Sequence, residues 1–167
     1  MKILRDITID ASPDRVWEVL GPGYADIGRW MSAVSHSSPV IGQQAAPNAP
    51  LAGRTCETDL GPFKESILEY DEEKRVLAYD AQGDSMPFFV TYLANRWSVT
   101  GYGNTAYVNS QVTVKVKFPF GVMLPMMRLK LGPVLTHAVE ELKHYVETGE
   151  PHPRKVAAMN QAKPSLA

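Results

Sequence analysis

The chain has 167 residues, 44% of them hydrophobic and 21% charged, and its 17 basic and 18 acidic residues leave a formal net charge of −1. This composition is typical of one soluble globular domain, and the balanced charge argues against the broad basic surface of a nucleic-acid-binding protein. One cysteine, Cys56, excludes an internal disulfide framework. With no signal peptide in the N-terminal residues, we expect a cytoplasmic protein.

The N-terminal part is predicted to be a strand followed by two short helices. Residues 7–10 alternate between apolar and polar side chains, which is typical of a half-buried strand. Ser12 is suited to cap a helix whose first turn contains Pro13. Gly-Pro-Gly at 21–23 ends this helix, and residues 24–31 form a second short helix or turn.

A series of strands follows a Pro-, Ala- and Gly-rich loop at 42–53. The predicted strands span 54–60, 63–70, 75–81, 88–100 and 105–118. The last strand places Val108, Ser110, Val112, Val114, Val116 and Phe118 on one face and polar residues on the other. This alternation predicts a sheet with one solvated face and one covered face. Gly-Tyr-Gly-Asn at 101–104 is predicted to be the turn between the last two strands.

A long C-terminal helix is predicted to cover the sheet. Its apolar positions are spaced by three and four residues: Leu124, Met127, Leu131, Val134, Ala138, Leu142 and Tyr145. Polar residues such as Glu141 lie off this stripe. Arg128 ends the charge-free run 118–127 well short of the roughly 18–20 apolar residues that a membrane span needs.

Two features of this segment have structural consequences. Gly132-Pro133 lies inside the helical pattern and predicts a kink or restart there, with a space beneath the helix. The flexible side chains of Met123 and Met127 suit the wall of such a space. Residues 150–167 contain three prolines and are predicted to be a tail.

The order of these elements resembles the helix-grip fold of the START-like superfamily (SRPBCC). That superfamily includes birch pollen allergens, lipid-transfer domains and proteins of the polyketide cyclase/dehydrase kind. The motifs that carry the resemblance are Ala-Ser-Pro-x-x-Val-Trp at 11–17, Trp30, Gly53-Arg54, Glu65, Asp-x-x-x-Arg-Val-Leu-x-Tyr at 71–79, and Pro87. It covers residues 3–148 and implies an α+β fold, a curved antiparallel sheet of about seven strands wrapped around the long C-terminal helix. The implied ligand-binding domain spans 1–149, and the tail spans 150–167.

In this fold the covered face of the sheet forms an internal cavity. The expected ligand-binding residues are Trp30, Tyr79, Leu93, Asn95, Trp97, Ser110, Val112, Val114, Phe118, Met123, Met127 and Leu131. Arg54 and Glu65 are further polar candidates, with the phenols of Tyr79 and Tyr92 behind them. A charge inside the cavity costs several kcal/mol unless it is paired. Arg54 and Glu65 are therefore expected either to form a mutual ion pair or to orient a ligand.

No metal or cofactor site is predicted. The letters Gly-x-Gly-x-x-Ala at 101–106 match a dinucleotide motif, but that motif requires a helix after it and strands lie on both sides here. The four histidines, His36, His137, His144 and His152, have no ligand spacing with Cys56 or a carboxylate. Met123, Met126 and Met127 have the chemistry of soft copper ligands, but helical spacing favours packing.

The favoured function is to bind a small hydrophobic molecule (lipid-like, aromatic or polyketide-like) between the sheet and residues 121–135. The resemblance implies an alternative, an enzyme of the cyclase/dehydrase kind with Glu65, Arg54 and Tyr79 as candidate acid–base residues. One inward carboxylate with a displaced pKa beside Arg54 or a tyrosine would favour the enzyme, and a cavity lined only by apolar groups, Asn95 and Ser110 would favour the carrier. A third hypothesis, a regulator that binds another protein, requires an exposed apolar patch on the first helices or on the tail. We expect a monomer or homodimer.

Overall fold

Seven antiparallel strands form one sheet against which a long helix packs, in a computed structural model that describes residues 1–162. The strands are β1 (Lys2–Ile9), β2 (His36–Val40), β3 (Gly53–Thr58), β4 (Gly61–Asp71), β5 (Val76–Gln82), β6 (Val90–Tyr102) and β7 (Thr105–Val116). Their order in the sheet is β1-β7-β6-β5-β4-β3-β2. The helices are α1 (Pro13–Leu20), α2 (Leu124–Thr148) and α3 (Pro153–Ala162), with 3₁₀ segments at Pro22–Arg29 and Phe120–Met123. The predicted α+β helix-grip fold is confirmed.

The covered face of the sheet follows from the alternation along β6 and β7. Trp97 lies opposite Ser110, and Leu93 lies opposite Val114. Trp97, Ser110 and Val114 are all buried. Because side chains alternate in direction along a strand, these neighbours share one face, which packs against α1 and α2.

The turn between β6 and β7 requires glycine. Gly101 has a φ of 136°, and a Cβ atom there would lie 2.2 Å from the backbone oxygen of Thr105. Gly103 also has a positive φ, of 60°. Both conformations are accessible to glycine without steric cost, so the predicted hairpin turn is confirmed and no helix follows these glycines.

Helix α2 continues through Pro133, and the prediction that the helix restarts there is wrong. A proline inside a helix removes one backbone hydrogen bond, to the carbonyl of Leu129. Leu129 and Pro133 are both exposed, so this carbonyl lies on the solvent side of α2, where water can satisfy it. The helix therefore tolerates the missing bond.

Residues 153–162, within the predicted tail, form the helix α3. Pro153 occupies its first turn, a position where the missing N–H costs nothing. The Lys155 side chain is buried, and its Nζ donates a hydrogen bond to the backbone oxygen of Val34 (2.6 Å). The rest of the predicted tail, residues 163–167, lies outside the described residues.

Glu141 is fully buried although the sequence pattern placed it off the apolar stripe. Its carboxylate accepts hydrogen bonds from the Ser32 backbone (2.8 Å), the Ser32 hydroxyl (2.7 Å) and Arg154 Nε (2.9 Å). Arg154 belongs to α3, so the buried carboxylate joins α2, α3 and the segment after the first 3₁₀ helix.

Candidate functional site

A cavity of about 170 Å³ lies between strands β4 to β7 and helix α2. Its wall is formed by Met31, Glu65, Tyr79, Ala81, Leu93, Ala94, Asn95, Trp97, Val112, Leu131, Val134, Leu135 and Ala138. Most of these side chains are apolar, and Glu65, Tyr79 and Asn95 supply the polar groups. The volume is close to that of engineered apolar cavities of about 150 Å³ that bind benzene. The cavity as it stands therefore fits a molecule with a single ring.

The predicted pair of Arg54 and Glu65 is present. The two residues are directly opposite each other in the β3–β4 ladder. Arg54 Nε donates to Glu65 Oε2 at 2.6 Å, and the Arg54 residue is only 2% exposed. The hydroxyl of Tyr24 donates to the same carboxylate oxygen at 3.2 Å. The ladder thus holds a buried arginine against a carboxylate on the cavity wall.

Two tyrosine rings enclose the guanidinium group of Arg54. Its central carbon lies 4.0 Å from the ring centre of Tyr24 and 5.0 Å from that of Tyr79. Burial is the largest single influence on the pKa of Arg54 and lowers it, but the combined attraction of Glu65, Tyr79, Tyr24 and Cys56 outweighs it, so the net shift is upward. Arg54 therefore remains a fixed positive charge beside the cavity.

One oxygen of Glu65 remains available to a ligand. Both hydrogen bonds to its carboxylate from Arg54 and Tyr24 go to Oε2. No donor within residues 1–162 is hydrogen-bonded to Oε1, and Glu65 lies on the cavity wall. Oε1 can accept a hydrogen bond from a hydroxyl or amine inside the cavity.

The phenol of Tyr79 supplies the complementary donor. Its oxygen accepts hydrogen bonds from Asn95 Nδ2 and from Trp97 Nε1, both at 3.4 Å. Ser110 Oγ donates to Asn95 Oδ1 at 3.0 Å and holds that amide in place. With both acceptor positions used, the O–H of Tyr79 is free to donate to a ligand.

The protonation of Tyr79 fits this role. Burial raises the pKa of Tyr79, the nearby Glu65 carboxylate raises it further, and Arg54 and the two hydrogen bonds only partly oppose them. The phenol is therefore neutral at neutral pH and acts as a hydrogen-bond donor or weak acid rather than as a base. The polar end of the cavity combines one donor with one acceptor.

Six of the predicted ligand-binding residues line the cavity: Tyr79, Leu93, Asn95, Trp97, Val112 and Leu131. Ser110 and Val114 lie on the same face of the sheet but are fully buried, and Ser110 acts through Asn95. Trp30 is buried beside a separate void of about 10 Å³. Such a void has room for one water molecule at most.

Three of the predicted wall residues lie elsewhere. Phe118 is 96% exposed because β7 ends at Val116, so the alternation no longer applies two residues later. Met123 and Met127 are half-buried and are not part of the wall, because the first turns of α2 extend past the cavity. The phenol of Tyr92 is not behind the cavity either, since its ring packs under Lys115, whose Nζ lies 4.9 Å from the ring centre.

Six residues of the cavity wall were absent from the expected ligand-binding residues: Met31, Ala81, Ala94, Val134, Leu135 and Ala138. Met31, in the segment after the first 3₁₀ helix, completes the cavity wall. Arg5 lies on the covered face of β1 between Ile3 and Ile7, where its Nε donates to Thr136 Oγ1 of α2 at 2.7 Å. The sequence feature that could have indicated the contact of Arg5 with α2 is its charge at a position of β1 where the alternation calls for an apolar side chain.

Metal binding, thiol reactivity and membrane spanning are three further possibilities for the part of the chain that the structure describes. Residues 1–162 contain no group of three or more His, Cys, Asp or Glu side chains placed to hold a metal ion. Cys56 is buried, and burial raises the pKa of its thiol to about 11, so it is unreactive at neutral pH. No helix within the same range is long and apolar enough to cross a membrane.

Comparison with known proteins agrees with this fold. A family model described as "Polyketide cyclase / dehydrase and lipid transport" matches residues 1–147. A search of curated proteins finds no significant match.

Solved structures with the same fold have diverged far in sequence. A START superfamily protein from Mycobacterium smegmatis is 16% identical with a TM-score of 0.69, over 87% of this chain and 97% of that one. The di-domain ARO/CYC BexL from the BE-7585A biosynthetic pathway is 16% identical with a TM-score of 0.73, over 88% of this chain and 46% of that one. Norcoclaurine synthase from Thalictrum flavum is 19% identical with a TM-score of 0.67, over 89% and 94% of the two chains. At these sequence identities, the structural similarity is evidence of a shared fold only.

Proposed function

The chain belongs to the family of polyketide cyclase/dehydrase and lipid-transport proteins, and within it we propose that this member binds a small, mainly apolar, ring-containing molecule in the cavity under α2. The observation that supports this most directly is the distribution of polar groups in the cavity. A donor, the Tyr79 O–H, and an acceptor, Glu65 Oε1, lie in a wall that is otherwise apolar apart from Asn95. A few placed polar groups within an apolar wall are typical of small-molecule sites.

The two polar groups select the ligand's substituent. The Tyr79 hydroxyl donates to a carbonyl oxygen, and the free oxygen of Glu65 accepts from a hydroxyl. A phenol of one ring can pair with either group, and an aromatic aldehyde of one ring can pair with the Tyr79 donor; both fit about 170 Å³. A longer polyketide-like chain or a lipid needs a wider cavity, which requires α2 or the segment containing Met31 to move outward.

The test is the affinity for benzaldehyde, phenol and toluene, measured by quenching of tryptophan emission. Tyr79→Phe keeps the ring and removes the donor, so benzaldehyde affinity should fall about five- to tenfold, as expected for one hydrogen bond of roughly 1 kcal/mol. Toluene affinity should change little. Tyr92→Phe is the matched control, because that phenol lies away from the cavity. Equal affinities of the Tyr79→Phe variant and wild type for benzaldehyde would contradict the proposed recognition.

A second candidate is an enzyme of the cyclase or dehydratase kind, and the carboxylate of Glu65 on the cavity wall favours it. Arg54 Nε and the Tyr24 hydroxyl both donate to Oε2 of this carboxylate, an arrangement that suits it to anchor a ligand through Oε1. The neutral Tyr79 hydroxyl remains as a proton donor. We therefore rank binding first and catalysis second.

Two substitutions separate the candidates. Glu65→Gln keeps the shape of the side chain and removes its charge, and Arg54→Met removes the partner. Each is assayed for folding, probe binding and turnover of polyketide-like substrates, with the exposed Glu57→Gln on β3 as the control. If a variant loses turnover while folding and probe binding stay intact, the protein is an enzyme. If a variant loses only stability, the Arg54–Glu65 pair has a structural role.

A further inference from the structure

One end of the molecule presents a group of large apolar side chains to solvent. Phe88 is 73% exposed, Phe118 96%, Val122 79%, Met126 45% and Leu129 77%. We call these five residues the apolar tip. Single exposed apolar residues are common on protein surfaces, but five on two neighbouring segments are not.

The two segments of the tip are joined to each other. The rings of Phe89 and Phe120 are stacked with their centres 5.2 Å apart, and Phe88 packs edge-on against both of them. The backbone N–H of Lys117 donates to the oxygen of Phe89 at 2.8 Å. The β5–β6 connection and the β7–α2 connection therefore form one ordered surface.

The start of α2 is apolar on two sides. Leu131 and Leu135 face the cavity. Met126 and Leu129, with Val122 of the preceding 3₁₀ segment, lie on another side and remain exposed. A helix that is apolar all round is normally buried. Within residues 1–162, Val122 and Leu129 remain largely uncovered, and Met126 remains about half exposed.

The charge around the tip indicates what covers it. Residues 85–139 contain five of the 17 basic residues and none of the 18 acidic ones. Lys117, Arg128 and Lys130 are exposed and lie next to tip residues in the sequence. Asp84, just before this region, is the nearest acidic residue along the chain. The tip is thus a basic and apolar surface on a chain whose net charge is −1.

A second copy of the chain is a poor match for this surface. In a two-fold dimer the same patch meets itself, so the three cations would face three cations. A surface with anionic groups and an apolar interior matches both features of the tip. We propose that the apolar tip docks this protein onto anionic lipid bilayers, lying in the interface without crossing it.

The cavity lies next to this surface. Leu131, on the cavity wall, follows the tip residue Leu129 by two positions. Leu93, also on the wall, lies on β6 five residues after Phe88. Docking would bring the cavity close to the hydrocarbon in which an apolar ligand concentrates. The docking proposal does not depend on the ligand, because it rests on the exposed surface alone.

The test measures co-sedimentation of the full chain with vesicles of phosphatidylcholine and of phosphatidylcholine with 30% phosphatidylserine. Wild type should bind the anionic vesicles, and binding should fall at least tenfold without phosphatidylserine or in 0.5 M salt, where the charges are screened. The triple variant Lys117→Gln, Arg128→Gln, Lys130→Gln should bind about 100-fold more weakly, from roughly fivefold per basic residue. The double variant Phe118→Ser, Leu129→Ser should lose binding as well.

The controls use the opposite end of the sheet. Tyr102 is 93% exposed in the β6–β7 turn, and Lys74 lies in the β4–β5 turn, so Tyr102→Ser and Lys74→Gln should bind like wild type. Circular dichroism checks that all variants fold. Wild type that binds no vesicle, or tip variants that bind as well as wild type, would overturn the proposal. A dimer in sedimentation velocity that Phe118→Ser, Leu129→Ser dissociates would also overturn it, because a second copy would then cover the tip.

Discussion

The two halves of α2 have similar apolar spacing but different surroundings. In the C-terminal half, residues 135–148, six side chains are buried: Leu135, Ala138, Val139, Glu141, Leu142 and Val146. In the N-terminal half, residues 124–134, Gly132 alone is buried. The cavity lies under the junction of the two halves, lined by Leu131 and Val134 of the N-terminal half and by Leu135 and Ala138 of the C-terminal half, and the rest of the C-terminal half fills the core. An apolar stripe therefore predicts that a helix faces a sheet, but not whether it packs there tightly.

Polar contacts mark the boundary between the two halves. Arg5 donates to Thr136 Oγ1 at 2.7 Å and to the oxygen of Gly132 at 3.3 Å. A Cβ atom on Gly132 would lie 3.3 Å from the Arg5 guanidinium, so the glycine permits this close approach. Glu141 then fixes the second half to Ser32 and α3. The stability of α2 is concentrated on one side of this boundary.

The largest expected difference between the halves is the loss of stability when a leucine in each half is replaced by alanine. Leu142→Ala removes a fully buried side chain and should lower the free energy of unfolding by about 3 kcal/mol. Leu131→Ala, on the cavity wall, should lower it by less than about 1 kcal/mol because it is only half-buried beside an existing space. Urea denaturation measures both. Equal losses would show that the N-terminal half is packed as tightly as the C-terminal half.

The next effect concerns the buried carboxylate of Glu141. Glu141→Gln replaces an acceptor of three hydrogen bonds by an amide with one acceptor oxygen, and should cost about 2 kcal/mol. Glu140→Gln is the matched control, because Glu140 also pairs with Arg154 but is exposed, and its cost should be below about 0.5 kcal/mol. The same denaturation series compares them. A Glu141→Gln variant as stable as wild type would refute this role.

Pro133 offers a smaller change of opposite sign. Pro133→Ala restores the backbone hydrogen bond to Leu129 and should stabilise the protein by about 1 kcal/mol, since the gain exceeds the lost restriction of the unfolded chain. Pro125→Ala is the control, because Pro125 lies in the first turn, where no hydrogen bond is missing. Thermal unfolding measures the shift. Destabilisation by Pro133→Ala would show that the proline is needed for packing.

The smallest effect is the pH dependence of α3. Burial lowers the pKa of His152, and Arg154 and His144 lower it further. The neutral ring accepts the Arg154 backbone N–H at Nδ1 (3.1 Å). Because the unfolded chain binds the proton more readily, the neutral ring of His152 stabilises the folded protein. This stabilisation is fully present above the unfolded pKa of about 6.5 and is lost as the pH falls through the lower folded pKa.

The His152→Asn variant keeps a helix-capping acceptor and removes the titration. Between pH 7.5 and pH 5.5, wild type should lose a few tenths of a kcal/mol more than this variant, a small value because the ring is partly solvated. Denaturation at the two pH values measures the difference. Identical pH profiles of the two proteins would exclude His152 as the titrating group.

The sheet and the Arg54–Glu65 pair were predictable because both depend on local alternation and on one strand ladder. Phe118 was misplaced because its strand ends at Val116, which the pattern of valines does not reveal. Pro153 was interpreted as part of a tail, although a proline in the first turn is compatible with a helix. Glu141 was placed off the apolar stripe because its burial depends on α3, a long-range contact that helical spacing does not encode.

The central claim is that the cavity under α2 binds a ring with one polar group. The most direct test is a crystal of the protein soaked with 4-bromophenol and measured at the bromine absorption edge. The account predicts one anomalous peak in the cavity beside Leu93 and Leu131, with the ligand hydroxyl within 3.2 Å of Tyr79 or Glu65, as expected for a hydrogen bond. Bromine found only on the exposed tip, with the cavity unchanged and empty, would contradict it.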